Sequence, residues 1–254
     1  MPPPNFLWIL TDEQRADSLG CYGAPWAHTP ALDRLAAAGT RFDAACTPSP
    51  VCVAARAAML TGRACSRIGV LNNHHRLPPA NARFLTHALA EAGYRTASFG
   101  KQHYNCREKR AFQTEGGRTL DEHVAYFRYR TPVDETADDV VRYPGAFRNW
   151  ILAGPFPGGE AETAEARNCA AALEWLTDEC AGDTPFFLRV SLNAPHTPVV
   201  APPPYDRLID PDRIDLPTGT ETAGALPAPV REHLTGEQRT LARCVDGRPG
   251  VAVV

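Results

Sequence analysis

The chain has 254 residues, of which 44% are hydrophobic and 22% are charged, and its formal net charge is -3. This composition is typical of a globular protein with a sizeable core, and the small net charge excludes the basic surface of a nucleic-acid-binding protein. No apolar run approaches the roughly 18 residues of a membrane span, and the N-terminus lacks the basic segment of a signal peptide. We therefore expect a cytoplasmic protein that has neither a nucleic-acid partner nor a membrane partner.

Eight cysteines are scattered along the chain and form no Cys-x-x-Cys pair. In a chain of this length without a secretory signal, such cysteines are typical of reduced thiols and not of a disulfide framework. We expect all of them to be reduced.

Local patterns in the first hundred residues predict two strands and three helices. Asn5 to Leu10 is a continuous apolar run flanked by polar residues, which is typical of a buried strand. A helix is predicted between Thr29, a preferred N-cap residue that is followed by proline, and Gly39, a preferred helix terminator. The remaining predictions are helices over 52–62 and 84–92 and a strand over 94–99.

The second half of the chain begins with a long stretch, 103–160, that is rich in Arg, Gly, Pro and aromatic residues. It shows little periodicity and is predicted to be an irregular excursion. Residues 161–181 then show a helical pattern, and 184–192 form a second apolar run typical of a buried strand, followed by a proline-rich loop. The predicted apolar stripe of that helix comprises Cys169, Leu173, Leu176 and Cys180. Strands that alternate with helices predict an α/β fold around a largely parallel sheet.

Charged or titratable residues follow the three clearest predicted strands. They are Asp12 and Glu13 after the first strand, Lys101 and His103 after the second, and His196 after the third. In α/β sheets, ligands bind beyond the carboxyl ends of the strands. We therefore predict that these side chains surround one site.

The segment from Cys52 to Arg63 carries the most specific pattern of the chain. It reads CVAARAAMLTGR and resembles the sulfatase signature, Cys-x-(Pro/Ala)-x-Arg followed by Leu-Thr-Gly-Arg. In that family a separate enzyme oxidises the cysteine to formylglycine, whose hydrated aldehyde attacks a sulfate or phosph(on)ate ester. The resemblance implies that Cys52 becomes the nucleophile and that a formylglycine-generating or sulfatase-maturing enzyme is a partner. Arg56, one helical turn later, is expected to hold the nucleophile and the charge that develops at the helix N-terminus.

The segment TDEQRADSLGCYG resembles the part of the family that binds a divalent cation. The resemblance implies that Asp12 is a cation ligand, together with position 52. Glu13 stands where family members have a second Asp or a Gln, so its role as a ligand is left open. Because hard cations prefer carboxylate oxygens, calcium is expected at this site, with manganese as the alternative.

Two further motifs resemble catalytic elements of the same family. GKQH is similar to Gly-Lys-x-His and implies that Lys101 binds a sulfate oxygen while His103 orients the nucleophile or acts as a base. NAPHTPV is similar to Pro-His-x-Pro and implies that His196 donates to the leaving-group oxygen. Asn73 is a further candidate for a substrate contact.

The resemblance extends from Asn5 to about Arg243 and implies an alkaline-phosphatase-like α/β sandwich, with a largely parallel central sheet flanked by helices. Residues 1–254 are expected to be one incomplete N-terminal catalytic domain that lacks its C-terminal part, because no later segment resembles the family's Asp-Asn/His-Gly element. The implied function is a sulfuric ester hydrolase that acts on a small-molecule ester. Two alternatives stay open here: a phosphonate monoester or phosphodiester hydrolase of the same superfamily, and an inactive truncated remnant. The leaving group and the oligomeric state also stay open.

Overall fold

The computed structural model describes residues 2–106, 108–116, 133–138, 140–142, 151–180 and 182–214. The chain divides into two compact units. The first comprises Met1–Glu13, Phe42–Thr131 and Glu160–Ala194, and the second comprises Gln14–Arg41, Pro132–Gly159 and Pro195–Val254.

The described residues form six strands and five α-helices, with short 3-10 turns between several of them. The strands are β1 (Phe6–Leu10), β2 (Arg95–Gly100), β3 (Thr114–Gly116), β4 (Val141–Arg142), β5 (Ile151–Ala153) and β6 (Phe186–Ser191). The helices are α1 (Pro30–Ala38), α2 (Cys52–Thr61), α3 (Cys65–Ile68), α4 (Leu85–Glu91) and α5 (Ala164–Glu179).

The first unit is built around a four-stranded sheet of order β1-β6-β2-β3, in which every pair of neighbours is parallel. The last residues of three strands are level, because Leu10 pairs with Ser191 and Ser191 pairs with Gly100. The segments that follow β1, β6 and β2 therefore start from the same edge of the sheet. The parallel sheet predicted from the alternation of strands and helices is confirmed.

The two faces of this sheet pack against different helices. Side chains alternate along a strand, so neighbours in β6 point to opposite faces. Phe187 belongs to a core cluster that it forms with residues of α2, α3 and α4. Leu188 packs on the other face with Ala172 and Trp175 of α5.

Helix α2 carries the predicted nucleophile and lies close against the sheet. It is rich in alanine, which has the highest helix propensity and keeps the packing surface flat. Ala54 and Ala57 are fully buried. The helix ends at Gly62, which has the left-handed φ of 63° that favours glycine, and its N–H donates to the carbonyl oxygen of Ala58 at 2.8 Å.

Strand β1 has the predicted position in the chain but not the predicted burial. Phe6, Leu7 and Ile9 have 42%, 58% and 55% of their surface exposed. The reason is the place of β1 at the edge of the sheet, because β6 is its one neighbour among the described strands. An apolar run therefore indicated the strand correctly and its environment wrongly.

Helix α5 exists where it was predicted, but its buried face differs from the predicted stripe by one position. Its buried residues are Asn168, Ala172 and Trp175, whereas Cys169 and Leu173 are exposed. Leu176 and Cys180 are partly buried and pack against the core, as predicted. The prediction was wrong for Cys169 and Leu173, because Asn168 is polar and was not counted, although it is buried. A shift of one residue rotates the face of a helix by about 100°.

In the second unit, β4 and β5 are antiparallel, and Ala153 of β5 forms a parallel bridge to Val199. Strands β3, β4 and β5 all fall in the predicted excursion 103–160, of which residues 107, 117–132, 139 and 143–150 lie outside the described part. No helix among the described residues is long and apolar enough to cross a bilayer.

Candidate active site

The carboxylate of Asp12 is the centre of the candidate site. Asp12 follows β1 and is buried, with 6% of its surface exposed. Its Oδ2 accepts a hydrogen bond from Nη2 of Arg56 at 2.8 Å and lies 3.0 Å from Nζ of Lys101. Its Oδ1 lies 3.8 Å from Sγ of Cys52. Four residues from three segments that are distant in the sequence are thus brought together around this carboxylate.

Two neighbouring cations keep Asp12 ionised. Burial by itself raises the pKa of this carboxyl, but the Lys101 ammonium and the Arg56 guanidinium outweigh burial and lower the pKa from 3.8 to about 2. Asp12 is therefore an anion throughout the neutral range. An ionised carboxylate is the form that binds a hard cation.

Arg56 joins three of the segments that form the site. Besides Asp12, it contacts the carbonyl oxygen of Lys101 at 2.8 Å and Oγ of Ser191 at 2.7 Å, both through Nη1. Its guanidinium is buried, with 3% of the residue exposed. A planar fork of donors can reach acceptors from all three strand ends at once, which a lysine ammonium cannot do with the same geometry.

Cys52 is the first residue of α2, and the N-cap residue Val51 provides no side-chain cap. The N–H of Val53 instead donates to Oδ1 of Asn73 at 3.0 Å. Asn105 holds the Asn73 loop, because its Nδ2 donates to the carbonyl oxygens of Asn73 at 3.0 Å and His75 at 3.1 Å. The carboxamide oxygen of Asn73, a residue predicted to contact substrate, therefore caps the helix that carries Cys52.

The environment of Cys52 disfavours its thiolate. Burial raises the pKa of the Cys52 thiol, and the negative charge of Asp12 raises it further. Lys101 and Arg56 lower this pKa, but the net effect of all these groups is to raise it. A cysteine nucleophile requires the thiolate form. The unmodified thiol is thus poorly suited to attack an ester.

Lys101 and His103 are both buried, with 1% and 2% of their surface exposed. They follow Gly100, which has a φ of 98° and would place a Cβ only 2.0 Å from the carbonyl oxygen of Ser191. Glycine is therefore required at this strand end. His103 has a left-handed φ of 48°, so the backbone turns after Gln102.

His196 lies in the second unit, in the proline-rich loop that follows β6. It is half-buried, and its Nδ1 lies 2.7 Å from the carbonyl oxygen of Thr197. Because a carbonyl oxygen only accepts, this contact assigns the ring proton to Nδ1.

Oxygen donors for a cation are present beside Cys52. One ligand atom each of Asp12, Glu13 and Cys52 lies within 4.8 Å of the others. Two carboxylates fit a hard cation such as Ca²⁺ or Mn²⁺, whereas a neutral thiol does not, so the third position fits only when it carries oxygen. Glu13 has a left-handed φ of 58°, an uncommon conformation for a residue with a side chain.

Sequence reasoning missed two residues that organise this site, Ser191 and Asn105. Ser191 is the last residue of β6 and binds Arg56. The two neighbours of β6 are β1 and β2, and both are followed by site residues. The position of Ser191 at the end of β6 is therefore the signal that could have identified it. Asn105 has a φ of 52°, which asparagine adopts more readily than most residues, but no motif includes it.

Comparison with known proteins identifies relatives over most of this chain. A family model described as Sulfatase matches residues 4–219. N-acetylgalactosamine-6-sulfatase of Canis lupus familiaris is 32% identical over 224 residues, which cover 80% of this chain and 42% of the relative. Arylsulfatase A of Homo sapiens is 32% identical over 225 residues, which cover 77% of this chain and 42% of the relative. The chain thus spans less than half the length of these relatives.

Solved structures agree with the family match. Phosphonate monoester hydrolase of Agrobacterium radiobacter has a TM-score of 0.65 and 26% identity, over 91% of this chain and 49% of that chain. Phosphonate monoester hydrolase of Silicibacter pomeroyi, at a TM-score of 0.62 and 22% identity, supports the fold alone. These similarities confirm the predicted alkaline-phosphatase-like α/β fold. Because the family model covers most of its residues, the chain belongs to the sulfatase family.

Proposed function

We propose that the protein hydrolyses sulfate esters and that residue 52 is its nucleophile. The observation that carries this proposal is the position of Cys52 at the first turn of α2, with Sγ 3.8 Å from the ionised carboxylate of Asp12. Arg56 and Lys101 bind the other oxygen of the same carboxylate. A nucleophile at a helix N-terminus, flanked by cations, suits attack on an anionic ester.

We further propose that Cys52 is converted to formylglycine by a maturing enzyme. One hydroxyl of the hydrated aldehyde would attack the ester and displace the leaving-group alcohol. Loss of a proton from the second hydroxyl would then reform the aldehyde and break the C–O bond to the bound sulfate, which is released. The raised pKa of the Cys52 thiol supports this role, because the residue is a poor nucleophile in its unmodified form. Asn73 and Asn105 fix the backbone turn that presents position 52.

The charges of the described site support a requirement for a divalent cation. Two anionic side chains, Asp12 and Glu13, stand beside two cationic ones, Arg56 and Lys101, so these four charges sum to zero. A divalent cation held by Asp12, Glu13 and an oxygen at position 52 makes the site positive and attracts an anionic ester. Bound there, calcium or manganese would lower the pKa of the attacking hydroxyl and polarise the ester oxygens.

The remaining predicted residues are assigned by their chemistry. Lys101 neutralises a sulfate oxygen with its ammonium, and the buried His103 orients the nucleophile or accepts its proton. Because Nδ1 of His196 donates to the carbonyl oxygen of Thr197, we assign Nε2 to the leaving-group oxygen, to which it donates when it carries a second ring proton. Asn73 uses its carboxamide oxygen as a cap, so its amide nitrogen is the atom we assign to substrate.

The proposal is tested with the 254-residue chain after co-expression with a sulfatase-maturing enzyme. We expect turnover of an aryl sulfate in the presence of calcium or manganese. Turnover should be lost in Cys52→Ala, lowered roughly 10²- to 10³-fold in Lys101→Met, and unchanged in Cys46→Ala, which alters an exposed cysteine. A chain that carries formylglycine and hydrolyses neither a sulfate nor a phosphonate ester would contradict the proposal and support an inactive remnant.

A second candidate function is the hydrolysis of phosphonate monoesters. The observation in its favour is the likeness to the phosphonate monoester hydrolase of Agrobacterium radiobacter, at 26% identity over 91% of this chain. Sulfate esters and phosphonate monoesters both carry anionic oxygens, which the same cationic side chains, Arg56 and Lys101, could bind. Assay of the matured chain on matched aryl sulfate and aryl phosphonate esters decides between them by the ratio of kcat/KM, which compares the two transition states directly.

A further inference from the structure

Arg189 is a buried cation in β6, two residues before Ser191, and none of its surface is exposed. Alternation along the strand directs it to the same face as Phe187 and Ser191, the face that packs on α2. Its guanidinium carbon lies 4.6 Å from the ring centroid of Phe112 and 5.7 Å from that of Trp8. A charge in such a place is destabilising unless its donors are well bound, so its hydrogen bonds indicate what it does.

The hydrogen bonds of Arg189 form a closed ring with two other side chains. Its Nε donates to Oγ of Ser98 at 2.9 Å, and its Nη2 donates to Oε1 of Gln102. Nε2 of Gln102 in turn donates to the same Oγ of Ser98 at 2.9 Å. Ser98 and Gln102 are both fully buried. The ring therefore fixes the Gln102 side chain beneath the sheet edge.

Gln102 lies between the two site residues Lys101 and His103. The backbone there leaves the sheet through two left-handed residues, Gly100 with a φ of 98° and His103 with a φ of 48°. After Lys101, whose N–H donates to Ser191, regular ladder bonds no longer determine the path of the chain. A side chain bound below the turn is a physical means of keeping that path fixed.

We propose that Arg189 is a positioning residue that acts through Gln102. By binding the Gln102 carboxamide it holds the backbone of residues 101–103 and so sets where the Lys101 ammonium and the His103 ring lie in the site. This inference rests on the proposed function, since it assigns those two side chains to the substrate. Lysine cannot replace arginine here, because only a planar fork reaches Ser98 and Gln102 at once while stacking on two aromatic rings.

The test separates positioning from simple stabilisation. Backbone amide exchange of a peptide that spans residues 101–106 is measured by mass spectrometry, together with the affinity for inorganic sulfate in the presence of calcium. The variants are Arg189→Met, Arg189→Lys, and the triple variant Ser98→Ala/Gln102→Met/Arg189→Met. Arg95→Met is the control, because it removes a half-exposed arginine of the neighbouring β2.

We expect exchange in the 101–106 peptide to be at least about tenfold faster, and sulfate binding about tenfold weaker, in Arg189→Met and Arg189→Lys. The triple variant replaces the polar ring by apolar groups and should recover most of the melting temperature. It should recover neither slow exchange nor sulfate affinity. Arg95→Met should match the wild type in both measurements.

Two outcomes overturn the inference. One is unchanged exchange in Arg189→Met, whether or not the wild type binds sulfate. The other is a triple variant with wild-type exchange and wild-type sulfate affinity, which would make the ring a packing element only. A wild type that exchanges slowly at residues 101–106 but binds no sulfate counts against the proposed function. In that case, faster exchange in Arg189→Met still supports the positioning role of Arg189.

Discussion

Asp12 contributes stability that depends on pH because two cations lower its pKa. The folded-state pKa is about 2, below the ordinary value of 3.8, so the contribution is complete above about pH 4 and is lost as the pH falls through 2. The shift corresponds to roughly 2 kcal/mol of unfolding free energy. Urea unfolding at a series of pH values should show this loss in the wild type.

The variant Asp12→Asn isolates that effect from the protonation of other carboxyls. It should be roughly 3 kcal/mol or more less stable at neutral pH, since Arg56 and Lys101 stay buried without their anion. The difference between wild type and variant should shrink as the pH falls from 4 to 2. A difference that stays constant over this window would contradict the assigned pKa.

Cys52 is expected to be the residue that a maturing enzyme converts. It alone among the eight cysteines stands in a Cys-x-Ala-x-Arg string. Intact-mass and peptide analysis after co-expression should place formylglycine at position 52 in the wild type and in Cys46→Ala. No conversion is expected in Cys52→Ala. An unmodified Cys52 peptide, under conditions that convert a control sulfatase, would argue against the assignment.

At the scale of elements, the end of β2 depends on Gly100. In Gly100→Ala the new Cβ would lie 2.0 Å from the backbone oxygen of Ser191, so the β2–β6 ladder would have to shift. Gly93→Ala is the matched control, because its φ of 89° is also left-handed but nothing lies within 4 Å of the new atom. We expect a loss of about 1 kcal/mol in Gly93→Ala and at least about 3 kcal/mol in Gly100→Ala. Equal losses in chemical denaturation would show that the close approach is unimportant.

The N-terminus of α2 depends on a cap from a distant loop. Asn73→Ala removes the acceptor of the Val53 N–H and should cost about 1 kcal/mol of stability. Thr163→Ala is the matched control, since it removes the N-cap of α5 and should cost a similar amount. Only Asn73→Ala should slow the conversion of Cys52 or weaken sulfate binding. If both variants affect the site equally, the cap has no specific role there.

At the scale of the whole molecule, cation binding should be coupled to folding. A ligand that binds only the folded state stabilises it by about 2.7 kcal/mol at a hundredfold excess over its Kd. Calcium or manganese should therefore raise the melting temperature of the matured chain. The rise should be smaller in Glu13→Gln, which removes one carboxylate near Asp12, and unchanged in Asp17→Asn, which alters an exposed carboxylate. A melting temperature that does not respond to either cation would contradict the proposed site.

Much of the fold and of the site was predictable because the relevant signals are local in the chain. The strands β1 and β6 coincide with apolar runs, β2 coincides with the predicted strand 94–99, and α2 coincides with an alanine-rich segment closed by glycine. A parallel sheet places the ends of its strands at one edge, which is why Asp12 and Lys101 could be expected to meet. The buried face of α5 and the exposure of β1 were not predictable in the same way, because both depend on which neighbours cover them.

The family, the order of the elements and the position that we propose as the nucleophile could be predicted from the sequence, since each depends on residues close together in the chain. The partners of those residues became known only from the folded chain. Asn73 is a helix cap, Ser191 is an acceptor for Arg56, and Gln102 is an acceptor for Arg189. These contacts join residues far apart in the chain, and a hydrogen bond depends on distances and angles that no local pattern records.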